Sequence, residues 1–220
     1  MGENLIISPS KFNKYCTAAL LLLCSIFNCH AQDYNDLGSW FAVRVNRNFS
    51  DQFSAAVRVE HRSFNDFQSL NQVYCRGSVY WKPTGWLRLG QHLDWAYTPS
   101  GNRIRIIPGV RLSYKTAGGT SMYLREWYMR TEYPGAGRAA DNTLRTKAGL
   151  SRRIGEKGLT PHLDYEIFYW ESVSQQRFFA GSKFPLSEAV SLDVFYLYQL
   201  LPLRQKGTHI VGATLAITLP

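Results

Sequence analysis

Two short runs place an imidazole and a carboxylate at alternate positions: His92 with Asp94, and His162 with Asp164 and Glu166. Side chains two apart in an extended segment share a face, so each run would bring its groups together. A carboxylate beside a histidine orients the ring and stabilises its charged form, which is what a general base requires. His92, Asp94, His162 and Asp164 are therefore the candidate catalytic residues. The sequence offers no nucleophile to go with them, because no Gly-x-Ser-x-Gly turn is present. His162, Asp164 and Glu166 also present nitrogen and oxygen donors on one face, but without a metal-ligand spacing. Phosphate-binding and dinucleotide glycine patterns are absent, so no cofactor is expected. The plainer reading makes these groups interior polar residues met by arginines.

The segments that carry them repeat throughout the chain. Leu163, Tyr165, Ile167 and Tyr169 alternate with His162, Asp164, Glu166 and Phe168; Leu192, Val194, Tyr196 and Tyr198 alternate with Ser191, Asp193, Phe195 and Leu197. A period of two gives a strand one apolar face and one polar or mixed face. Strands are predicted at Trp40–Asn48, Phe53–Phe64, Gln72–Trp81, Trp86–Tyr97, Arg103–Lys115, Ser121–Glu132, Thr143–Arg153, His162–Glu171, Gln176–Phe184, Ser191–Leu200 and Thr208–Leu219. Turn residues separate them, as at Pro83-Thr-Gly85 and Ala117-Gly-Gly119. No helical spacing is sustained. Strands of about 9–11 residues suffice to cross a tilted bilayer path. The expected fold is all-β: an antiparallel up-and-down transmembrane-type β-barrel of 10–12 strands. Single-chain barrels usually have an even count, which makes Trp40–Asn48 the doubtful segment. Short links near Ser50, Pro83, Gly118, Lys157 and Leu186 are expected to alternate with longer or more polar ones, clearest at Tyr133–Asn142.

Charge placement then sets the faces. A lipid-facing arginine near the bilayer centre costs about 2–4 kcal/mol, so roughly one per strand must face inward. Arg58, Arg62, Arg76, Arg88, Arg105, Arg111 and Arg145 are set against Glu60, Asp94, Glu126, Asp164, Glu166 and Asp193 as a paired, plugging interior network. Trp40, Trp81, Trp86, Tyr97, Tyr114, Tyr123, Trp127, Tyr133 and Trp170 lie near segment ends, where interfacial aromatic girdles belong.

The front of the chain bears on destination. Lys11 and Lys14 precede an apolar run from Thr17 to Phe27, with Ala31 at a small-residue cleavage point. Residues 1–31 are expected to be a signal peptide and 32–220 one barrel domain. Three of the four cysteines fall in that leader, which leaves Cys75 without an internal disulfide partner. Losing Lys11, Lys14 and Glu3 lowers the formal charge of +9 by one. The basic residues are dispersed over the strands, which argues against nucleic acid and suits anionic lipid or acidic ligands.

Asp36-Leu-Gly-Ser-Trp40, Val57-Arg-Val-Glu60-His-Arg62 and Tyr123-Leu-Arg-Glu-Trp-Tyr128 resemble the domain of unknown function 2490 family. The resemblance covers about the whole mature chain and implies an exported barrel of Bacteroidetes type with no established activity. It implies outer-membrane lipid and the barrel-assembly machinery as partners, although the chain ends Ile217-Thr-Leu-Pro220 rather than on an aromatic residue. Three readings follow: a non-enzymatic outer-membrane barrel, structural or porin-like; an outer-membrane lipid hydrolase; and a soluble periplasmic lipocalin-like ligand-binding barrel.

Overall fold

Alternating side chains commit an extended segment to a sheet with one apolar and one polar face, and closing that sheet on itself leaves no exposed edge. The computed structural model describes residues 35–220 apart from 156, 157 and 205. The leader assigned to residues 1–31 lies outside the described residues. Eleven strands follow in order: β1 (Asn35–Asn48), β2 (Phe53–Phe64), β3 (Ser69–Trp81), β4 (Leu87–Thr98), β5 (Gly101–Lys115), β6 (Thr120–Glu132), β7 (Asp141–Arg152), β8 (Thr160–Tyr169), β9 (Val173–Pro185), β10 (Val190–Leu201) and β11 (Lys206–Leu219). Each corresponds to one predicted segment.

Every strand pairs antiparallel with the next. The sheet closes with β1 beside β11. With an odd number of strands, β1 and β11 run the same way, so the closing seam is parallel. Asn46 Nδ2 donates to the Ile217 carbonyl across that seam at 3.2 Å. The doubt over Trp40–Asn48 is thereby removed: this segment pairs with β2 from Ser39↔Ser63 to Asn48↔Ser54. The even-number rule assumes that every seam is antiparallel, and a single parallel seam lifts it. The start of β1 and the end of β11 consequently lie at opposite rims.

The expected alternation of link lengths is not present. The first rim carries residues 49–52, 82–86, 116–119, 153–155, 158–159 and 186–189; the second carries 65–68, 99–100, 133–140, 170–172 and 202–204. Of the second set only 133–140 is extended. Ladder pairing continues through polar residues that looked like loop, so β3 starts at Ser69 and β5 at Gly101. The 133–140 loop is tied at its base. The Tyr133 hydroxyl donates to Asp141 Oδ2 at 2.5 Å, and Arg138 reaches the same oxygen at 2.7 Å. Burial, reinforced by that carboxylate, pushes the Tyr133 hydroxyl above its ordinary range, which keeps the proton on the donor.

The two faces are inverted relative to a water-soluble barrel. Val57, Val59, Val79, Leu93, Trp95, Leu124, Leu163 and Val194 are exposed on the outside. Phe53, Trp81, Trp86 and Tyr114 are exposed near the first rim, and Tyr97 and Trp170 near the second, as two aromatic girdles would be. Trp40, Tyr123 and Trp127 leave that set. Trp40 and Trp127 are buried inside the barrel, and Tyr123 turns inward toward Asp164. Trp40, Phe195, Leu197 and Ile210 form an apolar core within the ring, with Phe64 and Phe179 packed on it.

Candidate functional site

Strand phase, read together with register, delivers the interior groups. Asp94 on β4 stands opposite Arg76 on β3 and Arg105 on β5, and Glu166 on β8 stands opposite Lys147 on β7 and Arg177 on β9. Three carboxylates are almost fully enclosed: Glu60, Asp94 and Glu166. Each holds at least two guanidiniums. Glu60 is bridged by Arg58 and by Arg62 at 2.5 Å. Asp94 takes a two-pronged contact from Arg76 at 2.5 and 2.7 Å, with Arg105 at 3.9 Å. Glu166 takes Arg125 at 3.0 Å, Arg145 at 2.6 Å and Arg177 at 3.3 Å. A lone buried carboxylate would cost several kcal/mol, and multiple charge-assisted contacts offset that.

Aromatic faces cover the other side of the same arginines. Arg62 lies 3.8 Å from the Trp40 ring centre and Arg125 lies 3.8 Å from that of Trp127. Arg145 and Arg177 flank Phe168 at 4.9 and 4.4 Å. Guanidinium over an aromatic face adds attraction and excludes water from the charge. These layers lie in the half of the interior toward the second rim, where Trp40, Gln72, Thr98, Thr131, Phe168, Gln199 and Thr208 are all buried.

The half toward the first rim is more open. A cavity of about 220 Å³ reaches from Trp40, Glu60 and Trp127 to Arg44, Arg88 and Arg111. Arg44 donates to the Tyr80 hydroxyl at 3.4 Å, and Arg88 stands over the same ring at 5.6 Å. Arg111 covers the Tyr123 ring at 3.9 Å and donates to Ser113 Oγ at 3.2 Å. On the opposite wall, Asp164 accepts from Tyr123 at 2.7 Å and pairs with Lys147 at 3.2 Å.

The candidate catalytic residues separate into two places. His92 is buried against Trp127 and Tyr80, and its Nδ1 lies 2.8 Å from Ser78 Oγ. Asp94 does not orient it, because both carboxylate oxygens are held by Arg76. His162 faces Asp164 at 3.4 Å through Nδ1 and Asp193 at 2.9 Å through Nε2. With a carboxylate on each nitrogen, both nitrogens serve as donors and neither is left to accept a proton. No set of three or more histidine, cysteine or acidic side chains that could hold a metal exists among the described residues.

Ion pairs join Arg58, Glu60 and Arg62; Arg76, Asp94 and Arg105; Arg145 and Glu166; and Asp164 with Lys147. Asp193 joins through His162 rather than through an arginine. Arg88 and Arg111 point inward but have no carboxylate within ion-pair distance among the described residues. Glu126 does not belong to the network. It sits on the outer phase of β6 opposite Val110 and Thr146, accepting from the Thr146 hydroxyl and from Tyr169 at 3.3 Å. Both phases of β6 carry apolar and charged residues, so alternation could not assign its faces. The inward members of that strand are Tyr123, Arg125 and Trp127, and alternation assigns neither these nor Arg44, Arg177 and Ser78 to the interior. Ser78 stands directly opposite His92, a relation visible only once β3 and β4 are placed in register.

A closed ring of strands with apolar residues outside and a charged interior defines a transmembrane-type β-barrel fold. Residues 37–208 match the family described as protein of unknown function DUF2490, and this chain belongs to that family. Two solved structures share the fold at low identity. One, described as KdgM porin, has 11% identity and a TM-score of 0.50, covering 71% of this chain and 81% of its own. The other, described as NanC porin, has 13% identity and a TM-score of 0.51, covering 79% and 90%. No functionally curated protein sequence matches.

Proposed function

We propose that this chain is a non-enzymatic outer-membrane β-barrel of porin-like class, its interior stopped toward the second rim and open toward the first. The inverted surface carries this reading: Val57, Val59, Leu93, Trp95 and Leu163 face out while Glu60, Asp94 and Glu166 face in. That arrangement suits a hydrocarbon solvent and opposes a soluble lipocalin-like barrel, whose apolar residues would line the inside. The arginine–carboxylate–aromatic layers supply the stop, in a barrel whose strand number lies between side-chain-filled barrels of about eight strands and open ones of about 16–18. The protein thus serves as a structural barrel or a restricted passage for small solutes rather than an open channel.

Membrane fractionation and planar-bilayer recording test the reading together. The protein should require detergent for extraction and show no steady open-channel conductance. Recovery in the soluble periplasm would overturn the membrane assignment, and a large steady conductance would overturn the stop.

A hydrolase reading draws only on the Ser78–His92 contact. Both groups are buried inside the ring, away from the lipid-facing surface, and no acid orients the imidazole. Phospholipid hydrolysis lost on Ser78→Ala would revive it.

A further inference from the structure

Register sets seven of the interior cations in two rows. Arg44, Arg58 and Arg76 stand opposite one another across β1, β2 and β3; Arg88, Arg111, Arg125 and Lys147 do the same across β4, β5, β6 and β7. Like charges directly opposite on neighbouring strands repel, so each row needs counter-charge. Asp94 follows the first row and Glu166 the second, each with a further arginine opposite on the next strand, Arg105 and Arg177. Both acids lie at the deep end, and Glu60 serves Arg58 and Arg62. The acids nearer the first rim are also engaged: Asp164 by Lys147, Tyr123 and His162, and Asp193 by His162. Arg44, Arg88 and Arg111 are left over.

These three line one cavity with room for a small solute. Among the described residues none of the three forms an ion pair, although Arg111 and Asp164 share Tyr123. Their partners are neutral: the Tyr80 hydroxyl and ring, the Tyr123 ring and Ser113 Oγ. Such contacts hold the side chains in place without neutralising them. A guanidinium offers paired N–H donors matched to the oxygens of a phosphate or carboxylate.

We infer that Arg44, Arg88 and Arg111 form a binding site for a small solute bearing an oxyanion group, phosphate or carboxylate, entered from the first rim. The inference deepens the barrel reading and rests on it only for the compartment that the mouth faces. Tyr80, held between Arg44 and Arg88, positions two of the three guanidiniums.

Calorimetric titration of the detergent-solubilised full chain tests it, with inorganic pyrophosphate, citrate and glucose as probes at low and high salt. Pyrophosphate, citrate or both should bind saturably and more weakly at high salt, while glucose gives no saturable heat. Binding of one anion alone assigns the phosphate or the carboxylate class. Arg44→Gln, Arg88→Gln and Arg111→Gln should each weaken binding by roughly tenfold or more, the worth of one charge-assisted contact. Arg138→Gln, in the loop at the other rim, should leave it unchanged. Folding of each variant is checked by its boiling-dependent gel mobility. Where a glutamine variant does not fold, the lysine variant at that position is read instead; it keeps the charge, loses the fork and should still bind several-fold more weakly. A folded barrel that binds neither anion overturns the inference, as does undiminished affinity in the arginine variants. Recovery in the soluble fraction overturns the membrane reading and leaves this site standing, so the two failures are distinct.

Discussion

Glu166 is the residue on which most interior charge converges, with Arg125, Arg145 and Arg177 all in contact and the carboxylate fully enclosed. Glu166→Gln keeps the shape and removes the charge, leaving three guanidiniums facing one another in a site from which water is largely excluded. Breaking a buried pair from one side costs about 3–5 kcal/mol. The urea midpoint of the solubilised barrel should fall accordingly, followed by tryptophan fluorescence; a loss below about 1 kcal/mol would mean that solvent screens these arginines as at a surface. A second expectation concerns close approach. Gly109 stands opposite Trp127, and a Cβ there would meet the indole Cδ1 at 2.0 Å and the Glu126 carbonyl oxygen at 2.8 Å. Gly109→Ala must displace the ring on which Arg125 and Arg145 lie. Overpacking of this kind costs about 1–3 kcal/mol, and the same unfolding measurement should record it.

At the level of the strand, alternation alone disclosed all eleven elements because ladder pairing tolerates almost any residue while a buried or lipid-facing row does not. What it could not disclose is what depends on neighbours. The parallel seam between β1 and β11 is a property of the ring, invisible in either segment. β6 carries Leu124, Glu126 and Tyr128 on one phase and Tyr123, Arg125 and Trp127 on the other, so its inward face is decided by β5 and β7. The candidate site was legible in its residue types but not in its pairings, since Arg88 and Arg111 become a surplus only when their neighbours are known. The outer placement of Glu126 has a measurable consequence. Glu126→Leu removes a carboxylate from the apolar face and leaves every interior ion pair intact, so stability in lipid should hold or rise. Glu126 placed inside, among the arginines, would instead give the loss expected for Glu166→Gln. Cys75 probes the same question on β3. It is the one cysteine among the described residues, exposed on the outer phase beside Val73 and Val79. In lipid vesicles its thiol, facing the hydrocarbon, should be out of reach of a water-soluble maleimide and react fully once the barrel is unfolded. Rapid labelling of the native barrel in vesicles would place β3 out of the bilayer.

Across the whole barrel the interior divides into a packed half and a more open one, and Trp40 is the hinge of that division. Its ring is bracketed by Arg62 and Arg177 and edged by Phe179 and Phe195 at 6.4 Å each. It also borders the cavity that leads to the first rim. Trp40→Ala removes the largest side chain of the stop and leaves the neighbouring arginines with one face uncovered. A void lined by such charges fills with water rather than staying dry, unlike an apolar cavity. Water continuous from the cavity to the second rim would turn the barrel into a conducting path. That path would still be lined by Arg44, Arg88 and Arg111, with Arg62 and Arg177 newly exposed, so its fixed charge is positive. Planar-bilayer recordings of Trp40→Ala should therefore show steady conductance where the parent is expected to show none. Under a salt gradient the reversal potential should have the sign of anion preference, and the preference should weaken as salt rises and screens the arginines. Large truncations in packed sites cost about 3–5 kcal/mol, so the variant is recorded only after its boiling-dependent gel mobility shows a folded barrel. A folded Trp40→Ala barrel that stays silent would move the stop from the Trp40 layer to the deeper Glu166–Phe168 layer, where Arg177→Ala becomes the opening substitution.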